Sequence, residues 1–285
     1  MLRSRKSNRR WRAILAVACL LVAAAAMRFA SIEPSNDRDW RPEQAVLPEI
    51  TFEGDIVRIR NVRNFRHHAD GSATPAYDDR TYDLRKIESV WFGVSPFGAN
   101  WRGPAHVFLS FGFSDSQYVA ISVEARKEVG EEYSVWKGLL KRYELMYVIA
   151  DERDVIPLRT EVWGDPVHLY PTRATPEQAR QIFVRMLERA EALRTRPVFY
   201  NTVTNNCTSN IVEPVNEIAT RRIRFGLDLL LPGYSDARAH RLGLLDTELP
   251  LEEARRAFLV NDRVAAALDE EDFSLRIRAG FVSDG

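Results

Sequence analysis

The chain has 285 residues, 45% hydrophobic and 28% charged, which is enough to bury a substantial core and too apolar for disorder over most of its length. Its 40 basic residues balance 40 acidic ones, but six basic ones (Arg3, Arg5, Lys6, Arg9, Arg10, Arg12) fall in the first twelve positions, leaving 34 against 40 in the rest. A mildly acidic body offers no clustered positive face for phosphate neutralisation, so nucleic acid is not expected as a partner.

The basic start is followed by Ala13 to Met27, fifteen residues without a charge, and then by Arg28 and a polar, Pro-containing stretch. Fifteen helical residues span roughly 22 Å, short of a comfortable bilayer crossing. Residues 1–30 therefore read as a signal peptide or an N-terminal membrane anchor, with residues 13–27 in the inner membrane and the body sent to the bacterial periplasm. Ala24-Ala25-Ala26 offers a cleavage site for the first alternative. Cys19 lies inside this run, so Cys207 is the one cysteine left for the folded body, a free thiol in an oxidising compartment.

Residues 31–48 read as a linker. Asp55 to Val62 alternates apolar and polar at period two, the signature of a half-buried strand. His67 to Ala76 reads as loop, and Ile87 to Val94 as a second strand. The clearest hairpin pairs His106–Phe113 with Tyr118–Glu124 across a polar turn. Further strands are expected at Glu144–Ile149 and Pro166–Tyr170. Thr175, Pro176 and Gln178 then form a capping box ahead of Ile182, Phe183, Met186, Leu187, Ala190 and Leu193 at helical spacing. A second helix opens just after Cys207, with Pro214 tolerable only near its first turn. Leu251 to Leu268 reads as a peripheral helix. Strands followed by helices predict an α+β fold, an antiparallel sheet with packed helices. Residues 49–220 form the main domain and 221–285 a helical extension packed on it.

Cys207 sits in the polar run Tyr200 to Asn210. A thiol at a helix N-terminus meets the positive end of the backbone dipole, which favours thiolate, whereas a lone cysteine can equally be a small buried hydrophobe. His106, at a strand end, is the candidate base. Glu124 becomes its cross-strand neighbour if five residues, Phe113 to Gln117, separate the paired arms; with four it faces the other way. Ser122 and Asn205 compete for the role of orienting the imidazole. Asn205, Asn206, Thr208 and Tyr200 are candidates for binding substrate or an oxyanion. Arg126 and the pair Glu152, Arg153 are candidates for an anionic group, with surface ion pairs as the plainer reading. Metal-ligand spacing, a phosphate loop and a serine elbow are absent from the sequence, so no metal or cofactor is expected.

These residues fall in stretches that resemble the Lnb N-terminal periplasmic domain family: Ile59 to Phe65, Ala105 to Phe113, Ile121 to Arg126, Tyr143-Glu144-Leu145 with Asp151 to Asp154, Tyr200-Asn201-Thr202 with Asn205 to Thr208, and Asp272 to Arg278. The resemblance runs from about Asp39 to Arg278. It implies a permuted papain-like (NlpC/P60-like) arrangement with Cys207 as nucleophile and His106 as base, and an association with N-acylation of lipoproteins. The expected function is a cell-envelope thiol-dependent acyltransferase or amidase acting on a lipid or envelope-polymer substrate such as lipoprotein or peptidoglycan. The alternative is a non-catalytic envelope scaffold that keeps the papain-like shell.

Overall fold

The computed structural model describes residues 2–68, 70–98, 103–219, 222–224, 226 and 231–281. The chain divides into two compact units, Met1–Ser35 and Asn36–Gly285. The first is one helix, α1 (Leu2–Ala30). Its apolar window, Trp11–Ala30, is twenty residues with mean hydropathy 2.3, or about 30 Å of helix. The helix therefore runs past the charge-free stretch at both ends, and by length and composition it can cross a membrane. Arg12 and Arg28 sit near the ends of the window, where long basic side chains reach back to the interface.

The second unit is built on a mostly antiparallel sheet. Its strands are β1 (Glu49–Glu53), β2 (Ile56–Arg63), β5 (Tyr77–Asp83), β6 (Ile87–Pro96), β7 (Ala105–Phe113), β8 (Tyr118–Arg126), β9 (Glu144–Ala150) and β10 (His168–Pro171), in the order β1-β2-β9-β8-β7-β6-β10 with β5 also paired to β2. A register shift between Ile59 and Val62, where Asn61 takes a left-handed φ of 60°, lets β2 serve β1 along its first half and β9 at Arg63↔Ala150. The fold is α+β, as expected. The segment read as loop instead carries a small hairpin, β3 (Arg66–His67) with β4 (Ala73–Thr74). Two further strands lie outside the expected elements: β1, which alternates over only five residues, and β5, which is polar along most of its length.

The central strands are buried on both faces, which is why β7 and β8 read as nearly continuous apolar runs. Residues Val107, Leu109, Phe111 and Val123 face the helices α4 (Pro176–Thr195) and α5 (Cys207–Ile218), packing on Phe183, Met186, Leu187 and Ile211. The Thr175–Gln178 capping box opens α4 as its sequence dictates. Phe108, Ala120, Met146 and Val148 face the other way. They pack on α3 (Glu152–Pro157) and the short C-terminal helices α8 (Asn261–Ala267) and α9 (Phe273–Arg276).

Three expectations are corrected here. Leu251 to Leu268 is two helices, α7 (Leu251–Ala257) and α8, which follow α6 (Ser235–Arg241), because the chain breaks at Phe258–Val260 to bond Leu169 and Val167 beside β10. Both lie at the surface and pack on the body through a narrow edge, Ala254 of α7 and Val264 and Ala267 of α8. Pro214 is the eighth residue of α5, well past its first turn, and contributes to the buried face of the helix. Part of the stretch read as linker also packs into the body: Gln44 is buried, and Trp40 lies under the Arg126 guanidinium at 4.1 Å.

Candidate functional site

Asn206 is the N-cap of α5: its side-chain oxygen accepts from Ser209 N at 2.9 Å while Ser209 Oγ accepts from Asn206 N at 2.8 Å. This reciprocal cap fixes Cys207 as the first helical residue. The polar run around it is loop architecture. Asn201 Oδ1 accepts from the Val203 and Thr204 amides, Asn205 donates to Phe199 O and accepts from Asn210, and Asn206 donates to Thr202 O. Asn205 and Asn206 therefore hold the turn that presents the thiol, with their polar atoms committed to protein partners.

The sulfur is buried against the Val107 side of the sheet, with Thr208 Oγ1 3.9 Å away. The ladder between β7 and β8 stops at Phe108↔Ser122, and the Val107 N–H hydrogen-bonds the sulfur. Burial pushes the thiol up, while this amide and the Thr208 hydroxyl pull against it. Tyr200 is close enough to the sulfur for the two ionised forms to oppose one another, and burial raises its phenol well above the ordinary value. Its hydroxyl meets that of Tyr133 at 3.3 Å.

His106 lies on the next residue of the same strand, but alternation turns its ring to the opposite face, stacked on Phe108. The β7–β8 register places Gly112 opposite Tyr118, the five-residue spacing, so Glu124 shares the face of His106. The rivals Ser122 and Glu124 act in series: Ser122 Oγ donates to Glu124 Oε1 at 2.9 Å, and His106 Nε2 lies 2.7 Å from Ser122 Oγ. Because the hydroxyl proton is committed to the carboxylate, Nε2 must carry a proton and Nδ1 is left as the basic nitrogen. Burial and then the charge of Arg159 push the imidazole down to about 3, so the ring is neutral at pH 7. For Glu124, burial pushes up, but His106, Arg159 and Arg63 outweigh it and hold the carboxyl at about 2. At pH 7, where the imidazole is neutral, Arg159, Arg63 and Lys127 are the cations that keep this carboxylate charged.

Sequence reasoning missed Arg159. It is fully buried on a five-residue π-helical turn, Leu158–Val162, and donates to Val155 O at 2.6 Å and to Glu124 Oε1 at 3.4 Å. Gln44 Nε2 adds a bond to Glu124 Oε2 at 3.1 Å. The relay Arg159–Glu124–Ser122–His106 thus runs beneath one face of the sheet, and the thiol sits on the other. Among the described residues no hydrogen bond joins sulfur and imidazole, although the sulfur bonds the residue adjacent to His106.

Arg126 belongs to neither group. Its guanidinium donates to Gln44 O, Ala45 O and Asn36 Oδ1, clamping the entering segment onto β8. Glu152 is a buried partner of Arg278 and Ser110, and Arg153 bonds Glu270 O. No group of three or more potential metal ligands occurs among the described residues.

Val107 and Thr208, next to the thiol, join Phe92, Leu109, Ile182, Ile211 and Val215 in lining a mainly apolar cavity of about 410 Å³ under α5; Cys207 itself does not line it, and Arg173, Arg238 and Arg241 do. That volume lies within the range of sites for small organic ligands.

Comparison with curated proteins and with solved structures finds no match. A family model, the Lnb N-terminal periplasmic domain, matches residues 73–256, a narrower span than Asp39 to Arg278 but one that includes His106, Glu124, Arg159 and Cys207. The match covers more than half of the chain, and the chain therefore belongs to the Lnb N-terminal periplasmic domain family.

Proposed function

We propose that this periplasmic-family domain is a thiol-dependent acyltransferase in which Cys207 carries an acyl group and the apolar cavity holds its chain. One observation carries the reading: Cys207 opens α5, and its two neighbours Val107 and Thr208 line a mainly apolar cavity under that helix. The hydrocarbon part of this lining suits a lipid chain, and Arg173, Arg238 and Arg241 suit an anionic group at the end of one.

In the first half-reaction the sulfur attacks an ester carbonyl, the S–C bond forms, the C–O bond breaks, and the alcohol leaves with a proton. An amine then attacks the thioester, the N–C bond forms and the C–S bond breaks, returning a proton to sulfur. His106 is the base, through Nδ1. The thiol is protonated at rest because it is buried, and an imidazole held near 3 does not take its proton, so transfer waits for the ring to leave its buried site beside Arg159 and turn past the β8-side edge of β7 toward the sulfur. Catalytic hydrogen bonds commonly tighten only in the substrate complex. The amides that open α5 are the donors this reading assigns to the oxyanion. Water in place of the amine would make the same site a hydrolase.

A second reading is favoured by the separation of sulfur and imidazole on two faces: a lipid-binding module without turnover. The two differ in one measurement. Incubation of the full chain with a long-chain activated ester should give a mass increase of one acyl group on Cys207, lost in Cys207→Ala and much slowed in His106→Gln. Cavity occupancy with no covalent adduct in the wild type would support the binding module and remove the transferase.

A further inference from the structure

The segment Tyr133–Arg142, Tyr-Ser-Val-Trp-Lys-Gly-Leu-Leu-Lys-Arg, carries the short helix α2 (Val135–Leu139) and leaves its apolar side chains in solvent. Trp136 is 74% exposed, Leu140 56% and Val135 48%, and Val203 of the cysteine loop joins them at 36%. Tryptophan is a costly side chain to leave in water unless its surroundings change when the protein acts. The patch is fixed to the thiol loop. Thr202 Oγ1 donates to Val135 O at 2.9 Å, Tyr133 meets Tyr200, and a Cβ at Gly138 would lie 2.3 Å from Thr202 Oγ1.

Charge identifies what covers it. Residues 133–142 contain Lys137, Lys141 and Arg142 and no acid. Glu131 offsets Arg142 at 3.3 Å and Glu132 is paired with Arg41 at 2.8 Å, so with both acids counted the segment keeps the positive charge of its two lysines. An exposed Trp with Val and Leu, edged by Lys and Arg, is the composition of an interfacial membrane element. A two-fold contact with a second copy would set these cations against each other. The chain also carries a bilayer-length apolar helix in cis, so while α1 is retained a lipid surface is the surface the body meets at the highest effective concentration.

We propose that the Val135–Leu140 turn and Val203 dock on the surface of an anionic phospholipid bilayer, seating the cysteine loop at the headgroup boundary. This goes beyond the acyl-transfer reading and does not depend on it, because its test reads depth and not turnover. Full-length protein is reconstituted into vesicles of phosphatidylglycerol and phosphatidylethanolamine with brominated or plain acyl chains. The emission of Trp136 is isolated by subtracting that of Trp136→Phe, a substitution at an exposed site. The expected result is that brominated chains quench the Trp136 emission while aqueous iodide does not. In wholly zwitterionic vesicles the docked population should fall about fivefold for each cation facing the headgroups, and iodide quenching should return. Iodide quenching in both vesicle types would overturn the proposal. So would a Trp136 shielded from both quenchers in a protein that sediments as a dimer, which would assign the face to a second copy.

Discussion

Replacing Arg159 by Met tests whether the relay behind His106 is held together by that guanidinium. Arg159 is 2% exposed and the Glu124 side chain 18%. Removing one partner of a buried ion pair commonly costs about 3–5 kcal/mol. Here the contact is long, 3.4 Å, and Glu124 keeps its bonds from Ser122 and Gln44, so the lower end, about 3 kcal/mol, is expected. Glu124→Gln leaves the cation buried and should cost a similar amount. The double variant removes both charges and should lose less than the two single losses together, with a coupling of about 1.5 kcal/mol or more. Urea denaturation of the four proteins at pH 7 measures the cycle. Losses that simply add would show that Arg159 and Glu124 do not depend on each other, and the relay would lose its first link.

His106 lies near 3 in the folded protein and 6.5 in a model peptide, so as pH falls the unfolded chain takes up the proton first. Its contribution is whole above about pH 6.5 and declines from there toward pH 3, by up to about 1.4 kcal/mol per unit. Stability of wild type and His106→Gln measured at pH 7, 6 and 5 should diverge in slope by up to one proton, and parallel profiles would contradict the depressed value. Asn206→Ala removes the α5 cap and a bond to Thr202 O, so a loss of about 1–2 kcal/mol in thermal or chemical unfolding is expected, with faster alkylation of Cys207 as the loop loosens. Gly93→Ala would place a Cβ 2.3 Å from the Phe108 ring, and a loss of about 1–3 kcal/mol should appear in the same denaturation assay. Truncation before Arg278 leaves Glu152 charged and fully buried without its cation; a loss of about 3–5 kcal/mol is expected, and a truncated chain as stable as the whole would refute the clamp.

Much of the fold was legible because period and caps are local. The β7–β8 hairpin, the Thr175 capping box and the helix opening at Cys207 each announce themselves within a few residues. What was not legible depends on distant partners. Arg159 carries no motif; only the π-helical turn and the enclosure of Glu124 give it a role. Glu152 and Arg153 look alike in sequence as surface charges, yet Glu152 is fully buried against Arg278, 126 positions away. The asparagines beside Cys207 suggested ligand contacts because they are polar. Their bonds show a turn being built, as the Asn201 and Asn206 side chains satisfy amides that no strand or helix covers.

The same alternation that made β7 recognisable also separates its chemistry. His106 and Val107 are neighbours in the chain, and a pleated strand must send their side chains to opposite faces. A relay fixed by buried charge suits the face covered by α3 and the C-terminal helices, where Glu124 and Asp154 offset Arg159 and Arg63. A thiol that must meet hydrocarbon suits the face with α5 and the apolar cavity. The two can cooperate only where the strand ends, because elsewhere a paired backbone lies between them. That is where the β7–β8 ladder stops and the Val107 N–H turns to sulfur. A substitution that extended this ladder would give Val107 a backbone acceptor in place of the thiol. It should then raise the Cys207 pKa further while leaving the Ser122 and Glu124 bonds of His106 intact.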